Sequence, residues 1–196
     1  DVTGGGPELF LYQSGYLTIK DYQMGIYILG FPNYEVRQAL YETVLPALTL
    51  RKNGDIQSVQ SSLMLALQLG KLADAKKHLK ALIADVPYSN KKLASMDMEE
   101  RYRLILSTIF NAIGCRVEVE HMLSTGRIDM VVEVTNYIYV LELKLSNNGG
   151  LAAAEKQIQA KQYTEPFKAD RRKVIALAVE LDDKGKGLVD WKEVEG

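Results

Sequence analysis

For residues 95–196 the sequence predicts an α/β domain of element order αβββαβ, set behind a mostly helical N-terminal half. Three observations predict it. Apolar residues recur at helical spacing from Leu104 to Ala112, three β-rich runs come next over Arg116–His121, Arg127–Val134 and Tyr137–Leu145, and a further helix separates these from an apolar run at Lys173–Leu181.

Element by element, Pro7–Gln13 is a short apolar-rich segment closed by Ser14-Gly15. Tyr16–Lys20 and Gly25–Leu29 read as strands of a hairpin turning through Asp21–Met24, and Pro32-Asn33 then opens a helix with Val36, Ala39, Leu40, Thr43 and Val44 on one face. Helix, hairpin, helix is similar to a winged-helix or ATPase-lid fragment. Asn53-Gly54-Asp55 breaks the chain, Asp55 is placed to cap a helix to Leu69, Gly70 closes it, and Leu72–Ala84 completes an αα-hairpin. Ser89–Ala94 is a polar connector. We therefore expect three parts: 1–50, winged-helix-like; 51–94, helical hairpin and connector; and 95–196, the α/β domain. In the last part Asp97 with Glu100 makes a capping-box-like start, Gly114 ends the helix, and Gly149-Gly150 precedes a helix from Leu151 to near Thr164.

Composition narrows the function classes. With 47% apolar and 25% charged residues the chain has the profile of a folded globular protein, and its longest apolar stretches fall far short of the roughly 20 residues of a membrane span. Cys115 is the only cysteine, which precludes an intrachain disulfide and fits the cytoplasm. A net charge of −1 means that nucleic-acid binding has to rest on local patches, for which Lys76, Lys77, Lys80, Lys91, Lys92, Lys168, Arg171, Arg172 and Lys173 are candidates. His78 and His121 lack partners at zinc-ligand spacing. The opening Asp1-Val2-Thr3-Gly4-Gly5-Gly6 reads as part of a longer polypeptide.

The chemistry concentrates on the hairpin around Thr135-Asn136. A two-residue turn there sets Val134 opposite Tyr137 and, further back, Asp129 opposite Glu142. One side of this ribbon, from Ile128 through Val134 and from Tyr137 through Leu143, carries no charge and must pack inward. The other side gathers Arg127, Asp129, Glu142 and Lys144 at the end remote from the turn. Opposed carboxylates repel unless something neutralises them, and a hard divalent cation does so. Lys144 comes two residues after Glu142 on the same face. Two carboxylates holding Mg²⁺ (or Mn²⁺), with an ammonium to orient water or offset developing charge, are parts suited to phosphodiester hydrolysis.

Gly126-Arg127-Ile128-Asp129 followed by Glu142-Leu143-Lys144 resembles the D…(D/E)XK signature of PD-(D/E)XK nucleases, and αβββαβ resembles their restriction-endonuclease-like core with its mixed sheet. The resemblance is closer to a branch fused C-terminally to an AAA-type ATPase. In that branch E-x-x-Y, a strand ending in Glu, and Q-I-x-x-K-x-Y flank the motif, matched here by Glu99 to Tyr102, by Glu120, and by Gln157 to Tyr163. Leu11 to Thr18 looks like the end of the ATPase-associated part. The resemblance implies metal ligation by Asp129, Glu142 and Glu99, catalysis by these with Lys144, and substrate-side roles for Gln157, Lys161, Arg127 and Tyr163. It further implies nucleic acid, DNA in particular, as partner, together with an N-terminal ATPase domain. No G-x-x-x-x-G-K-[ST] occurs, so no P-loop site is expected in this chain. The alternative is an inactive nuclease-fold module that binds nucleic acid or a protein. From the residues alone, Glu118 and Glu120 read as solvated acids on a half-buried strand, and Tyr163 as a packing residue.

Overall fold

The architecture is that of a computed structural model, which describes residues 6–48, 53–84, 86, 96–124 and 126–195. Two compact units divide at Val44/Leu45.

The first unit holds α1 (Pro7–Gln13), a hairpin of β1 (Thr18–Gln23) and β2 (Ile26–Gly30), and the start of α2 (Tyr34–Leu48). The strands run further than the sequence suggested. Tyr22 pairs with Tyr27, with their tilted rings 4.8 Å apart between centroids, so the turn is Met24-Gly25 rather than Asp21–Met24. Asn33 starts α2 as expected, its Oδ1 accepting the Val36 N–H at 2.9 Å. None of the residues 6–44 is buried within this structure.

The second unit is built on a five-stranded mixed sheet in the order β3 (Arg116–Leu123), β4 (Gly126–Glu133), β5 (Tyr137–Leu145), β6 (Lys173–Leu181), β7 (Leu188–Val194). Neighbours are antiparallel except β5 and β6, which run parallel and are joined through α6 (Gly150–Lys161). Strand β7 has no counterpart among the runs that the sequence pattern marks as strands.

Helix α6 covers one face, burying Ala154 and Ile158 against Val131, Ile138, Val140, Ala176 and Ala178. The alternate residues Tyr139, Leu141 and Leu143 are equally buried, with α5 (Met98–Ala112) against β3, β4 and β5. The helical pair α3 (Asn53–Gln68) and α4 (Leu72–Ala84) belongs to the same compact unit. The Tyr139 hydroxyl donates to the Leu67 carbonyl at 2.6 Å, and Lys76 pairs with Asp190 of β7 at 2.6 Å. Because α3 already runs from Asn53, Asp55 lies inside it and not at the position before its start. The connector Ser89–Ala94, with Lys91 and Lys92, lies outside the described residues.

Two local devices set the starts of α5 and α6. Asp97 caps α5, its carboxylate accepting the Glu99 N–H at 3.0 Å, which fixes the first turn and therefore Glu99. Gly149 and Gly150 take φ of +87° and +51° before α6, and a Cβ at Gly150 would sit 2.7 Å from the Glu180 carboxyl, which accepts the Leu151 N–H at 3.3 Å. Among the described residues, no helix is long and apolar enough to cross a membrane.

Candidate active site

The β4–β5 ladder has the register that the Thr135-Asn136 turn dictates: Glu133 opposite Ile138, Val132 opposite Tyr139, Val131 opposite Val140 and Met130 opposite Leu141. Pairing stops at that point. A continued ladder would offer the Leu143 N–H a backbone carbonyl; instead it donates to Asp129 Oδ2 at 2.9 Å. The side chain of Asp129 thereby takes the place of a ladder bond, and its carboxylate is drawn towards β5. On the other flank β3 is disturbed at the same level. Residues 116–119 and 121–123 keep a single register against β4, yet Glu120, opposite Asp129, drops out of the pairing and takes φ +58°.

The two acids expected to face each other do so, almost without solvent: Glu142 is 0% and Asp129 5% exposed. Glu142 Oε1 accepts from Lys144 Nζ at 2.7 Å, while Glu142 Oε2 is buried with no hydrogen-bond partner. Burial above all, then the neighbouring carboxylate of Asp129, pushes the Glu142 carboxyl up to about 7, and Lys144 opposes this. Burial pulls the Lys144 ammonium down, but the hydrogen bond and charge of Glu142, with the charges of Asp129 and Glu99, more than reverse it. Glu99, on the first turn of α5, is also raised. Burial is the main cause and Asp129 adds to it, against the lowering influence of Lys144 and Arg103.

Arg103, one helical turn after Glu99, is a site residue that sequence reasoning missed. Its Nη1 lies 2.9 Å from Glu120, and its Nη2 lies 3.6 Å from Asp129 and 3.9 Å from Glu99. The i,i+4 spacing from Glu99 was the available signal; the contacts with Glu120 and Asp129 are long-range. Glu120 and Glu118 are both exposed, as expected of solvated acids, but Glu120 also holds Arg127 at 2.9 Å, while Glu118 lies beside His121.

The residues expected on the substrate side take two places. Tyr163 is buried, its hydroxyl donating to the Arg127 carbonyl at 2.6 Å and accepting from Gln157 Nε2 at 2.9 Å, so this pair braces β4 just before Asp129. Arg127 and Lys161 are exposed, the Lys161 stem running beside Gly126. Of the basic residues proposed as a path, Lys76 is tied to Asp190, and Arg172 to Glu133 and Asp170.

Does this donor set suit a hard divalent cation? Among the described residues no three His, Cys, Asp or Glu side chains are drawn together at ligand spacing. Two carboxylates are, and Mg²⁺ commonly takes only one or two from the protein, with water and substrate oxygens completing the shell. An orphaned buried carboxylate oxygen beside a second carboxylate is a fit for such an ion; Glu99 lies near enough for the charges of Lys144, Asp129 and Arg103 to act on it.

Residues 97–191 match the family model of the PD-(D/E)XK nuclease superfamily. Over those residues, just under half of the chain, it is similar to that superfamily. The PD-(D/E)XK match spans α5 to β7 and includes every residue of the cluster, and it points to nuclease chemistry in general. Among curated proteins, an uncharacterized protein in the vnfD 5' region of Azotobacter chroococcum mcd 1 is 30% identical over 197 residues, covering 94% of this chain and 36% of that protein. The chain therefore spans about a third of that relative's length. No solved structure matches.

Proposed function

We propose that the second unit hydrolyses phosphodiester bonds in nucleic acid, DNA before RNA, with a divalent cation held between Asp129 and Glu142. The observation that carries this reading is the convergence of two buried carboxylates with one amine 2.7 Å from the second. Mg²⁺ or Mn²⁺, when bound, supplies Lewis acidity for polarising the phosphate and activating water. The protein's own side chains do the rest. Asp129 and Glu142 hold the cation, and Asp129 is fixed by the Leu143 N–H. Lys144 is placed to orient a water or to offset charge on the phosphate oxygens. Glu99 would add negative charge near a bound cation, Gln157 and Tyr163 brace the strand behind Asp129, and exposed Arg127 and Lys161 meet the substrate backbone. We further read the first unit as the end of an ATPase-associated part of a longer polypeptide, on the resemblance carried by Leu11–Thr18.

The test is incubation with linear, circular and branched DNA and with RNA, in Mg²⁺ or Mn²⁺ against chelator. Cation-dependent cleavage that disappears in Asp129→Asn and Glu142→Gln is the expected result. Cleavage in chelator, or full activity in either variant, overturns the mechanism. Salt-dependent binding without turnover would mean a non-catalytic module.

A further inference from the structure

We infer that Arg103 is a built-in counter-cation: it neutralises Asp129 and Glu99 while no metal is bound, and a divalent cation must displace it towards Glu120 to bind. This rests on the two-carboxylate cation site proposed above, and Arg103 is a positioning residue rather than a catalytic one.

The geometry around the guanidinium is lopsided. Nη1 makes a full hydrogen bond with Glu120 at 2.9 Å, whereas Nη2 stands off from Asp129 and Glu99 at 3.6 and 3.9 Å, beyond hydrogen-bond reach, and the buried Nε has no partner. A purely structural arginine would satisfy its donors on the groups it ties together. This one is anchored firmly on the side away from the acid pair and held only by charge on the side facing it. Its hold on Glu120 is itself built by an unusual backbone, since Glu120 leaves the β3–β4 pairing at φ +58°. Space for movement exists: Arg103 lines an open surface groove of about 340 Å³ with Leu104, Ser107, Val119 and Glu120.

Charge gives the sign. Around the site stand four carboxylates, Glu99, Glu120, Asp129 and Glu142, and three cations, Arg103, Arg127 and Lys144. A doubly charged ion at Asp129 and Glu142 repels the guanidinium 3.6 Å from Asp129, so the Arg103 contacts with Asp129 and Glu99 favour the metal-free state. Whatever favours one state weakens a ligand of the other by the same free energy. Removing the Arg103 charge should therefore tighten cation binding, the opposite of what loss of a structural support does.

The experiment is calorimetric titration of the full chain with Mn²⁺, with no substrate present. Arg103→Gln should bind Mn²⁺ about tenfold more tightly than wild type, one tenfold step being ~1.4 kcal/mol, and Arg103→Lys should stay near wild type. Glu120→Gln frees Arg103 for Asp129 and should weaken Mn²⁺ binding, an effect that should shrink in the Arg103→Gln background if it acts through Arg103. Equal or weaker binding by Arg103→Gln, where wild type does bind, overturns this inference and leaves the cation site standing. Absence of Mn²⁺ binding by both overturns the cation site and the inference with it. Should Arg103→Gln fail to fold, Glu120→Gln decides: unchanged or tighter binding overturns the inference.

Discussion

Replacing Glu142 by Gln should stabilise the metal-free protein at pH 8 while abolishing its response to Mn²⁺. The carboxyl is fully buried and raised from 4.5 to about 7, so at pH 8 the folded state carries a charge that the unfolded chain solvates freely. At about 1.4 kcal/mol for each pH unit of displacement, that charge costs roughly 3 kcal/mol as a ceiling. Glutamine removes the cost and its amide oxygen can still accept from Lys144, but that ammonium, on a side chain only 15% exposed, loses the opposing charge. The expected net gain is about 1–2 kcal/mol. Its pH dependence is diagnostic. A carboxyl raised in the folded state contributes stability that is complete below about 4.5 and lost as pH climbs through about 7, so wild type and variant should converge near pH 5 and separate by pH 8. Urea unfolding midpoints at four pH values between 5 and 8 in chelator measure the gap, and repetition in Mn²⁺ should raise wild type alone. A gap that does not change with pH, or a variant that loses ground to wild type as pH rises, would refute the reasoning.

Asp129→Asn should retain most stability because an amide oxygen still accepts from the Leu143 N–H, whereas Asp129→Ala leaves that buried donor unpaired and should lose roughly 1–3 kcal/mol in urea unfolding; neither should cleave nucleic acid. Lys144→Met removes the group that holds the Glu142 carboxyl down, so half-maximal Mn²⁺ binding at a fixed Mn²⁺ concentration should move to higher pH, and a fixed or lowered midpoint would contradict the assignment. Tyr163→Phe deletes a hydroxyl that serves both Gln157 and the Arg127 carbonyl and should cost about 1–3 kcal/mol, accompanied by faster amide exchange in β4.

What the sequence disclosed, and what it withheld, depends on the range of the interactions concerned. The Asp129–Glu142 juxtaposition was legible because a two-residue turn and one charge-free side fix a hairpin's register locally, and the Asp97 cap because it acts within one helical turn. Strand β7 was hidden by its burial: Leu188, Trp191 and Val194 point inward at intervals of three, where a strand's alternation would give two. In the N-terminal hairpin both faces are largely exposed, so no alternation marked how far β1 runs. Arg103 carried no local mark for its partners Glu120 and Asp129, which come from strands far along the chain. The complete burial of Glu142 was equally invisible, since it depends on the packing of other elements against the hairpin.

The broken ladder explains why the acids can be buried without ruining the sheet. An antiparallel pair that simply continued would use the Leu143 N–H for main-chain pairing and leave Asp129 with no donor, an ionised group without compensation in a dry place. Ending the ladder after Met130–Leu141 turns that N–H into a ligand for Asp129, while on the other flank, where Glu120 drops out of the β3–β4 pairing, Arg103 lies within 3.6 Å. Both irregularities fall at the same level of the sheet. Asp129 is thus compensated twice and Glu142 only once, through Lys144, which accounts for why the unpartnered carboxylate oxygen belongs to Glu142. A site arranged in this way leaves its shortfall of positive charge at one atom, between two carboxylates, and that is where an added cation gains most.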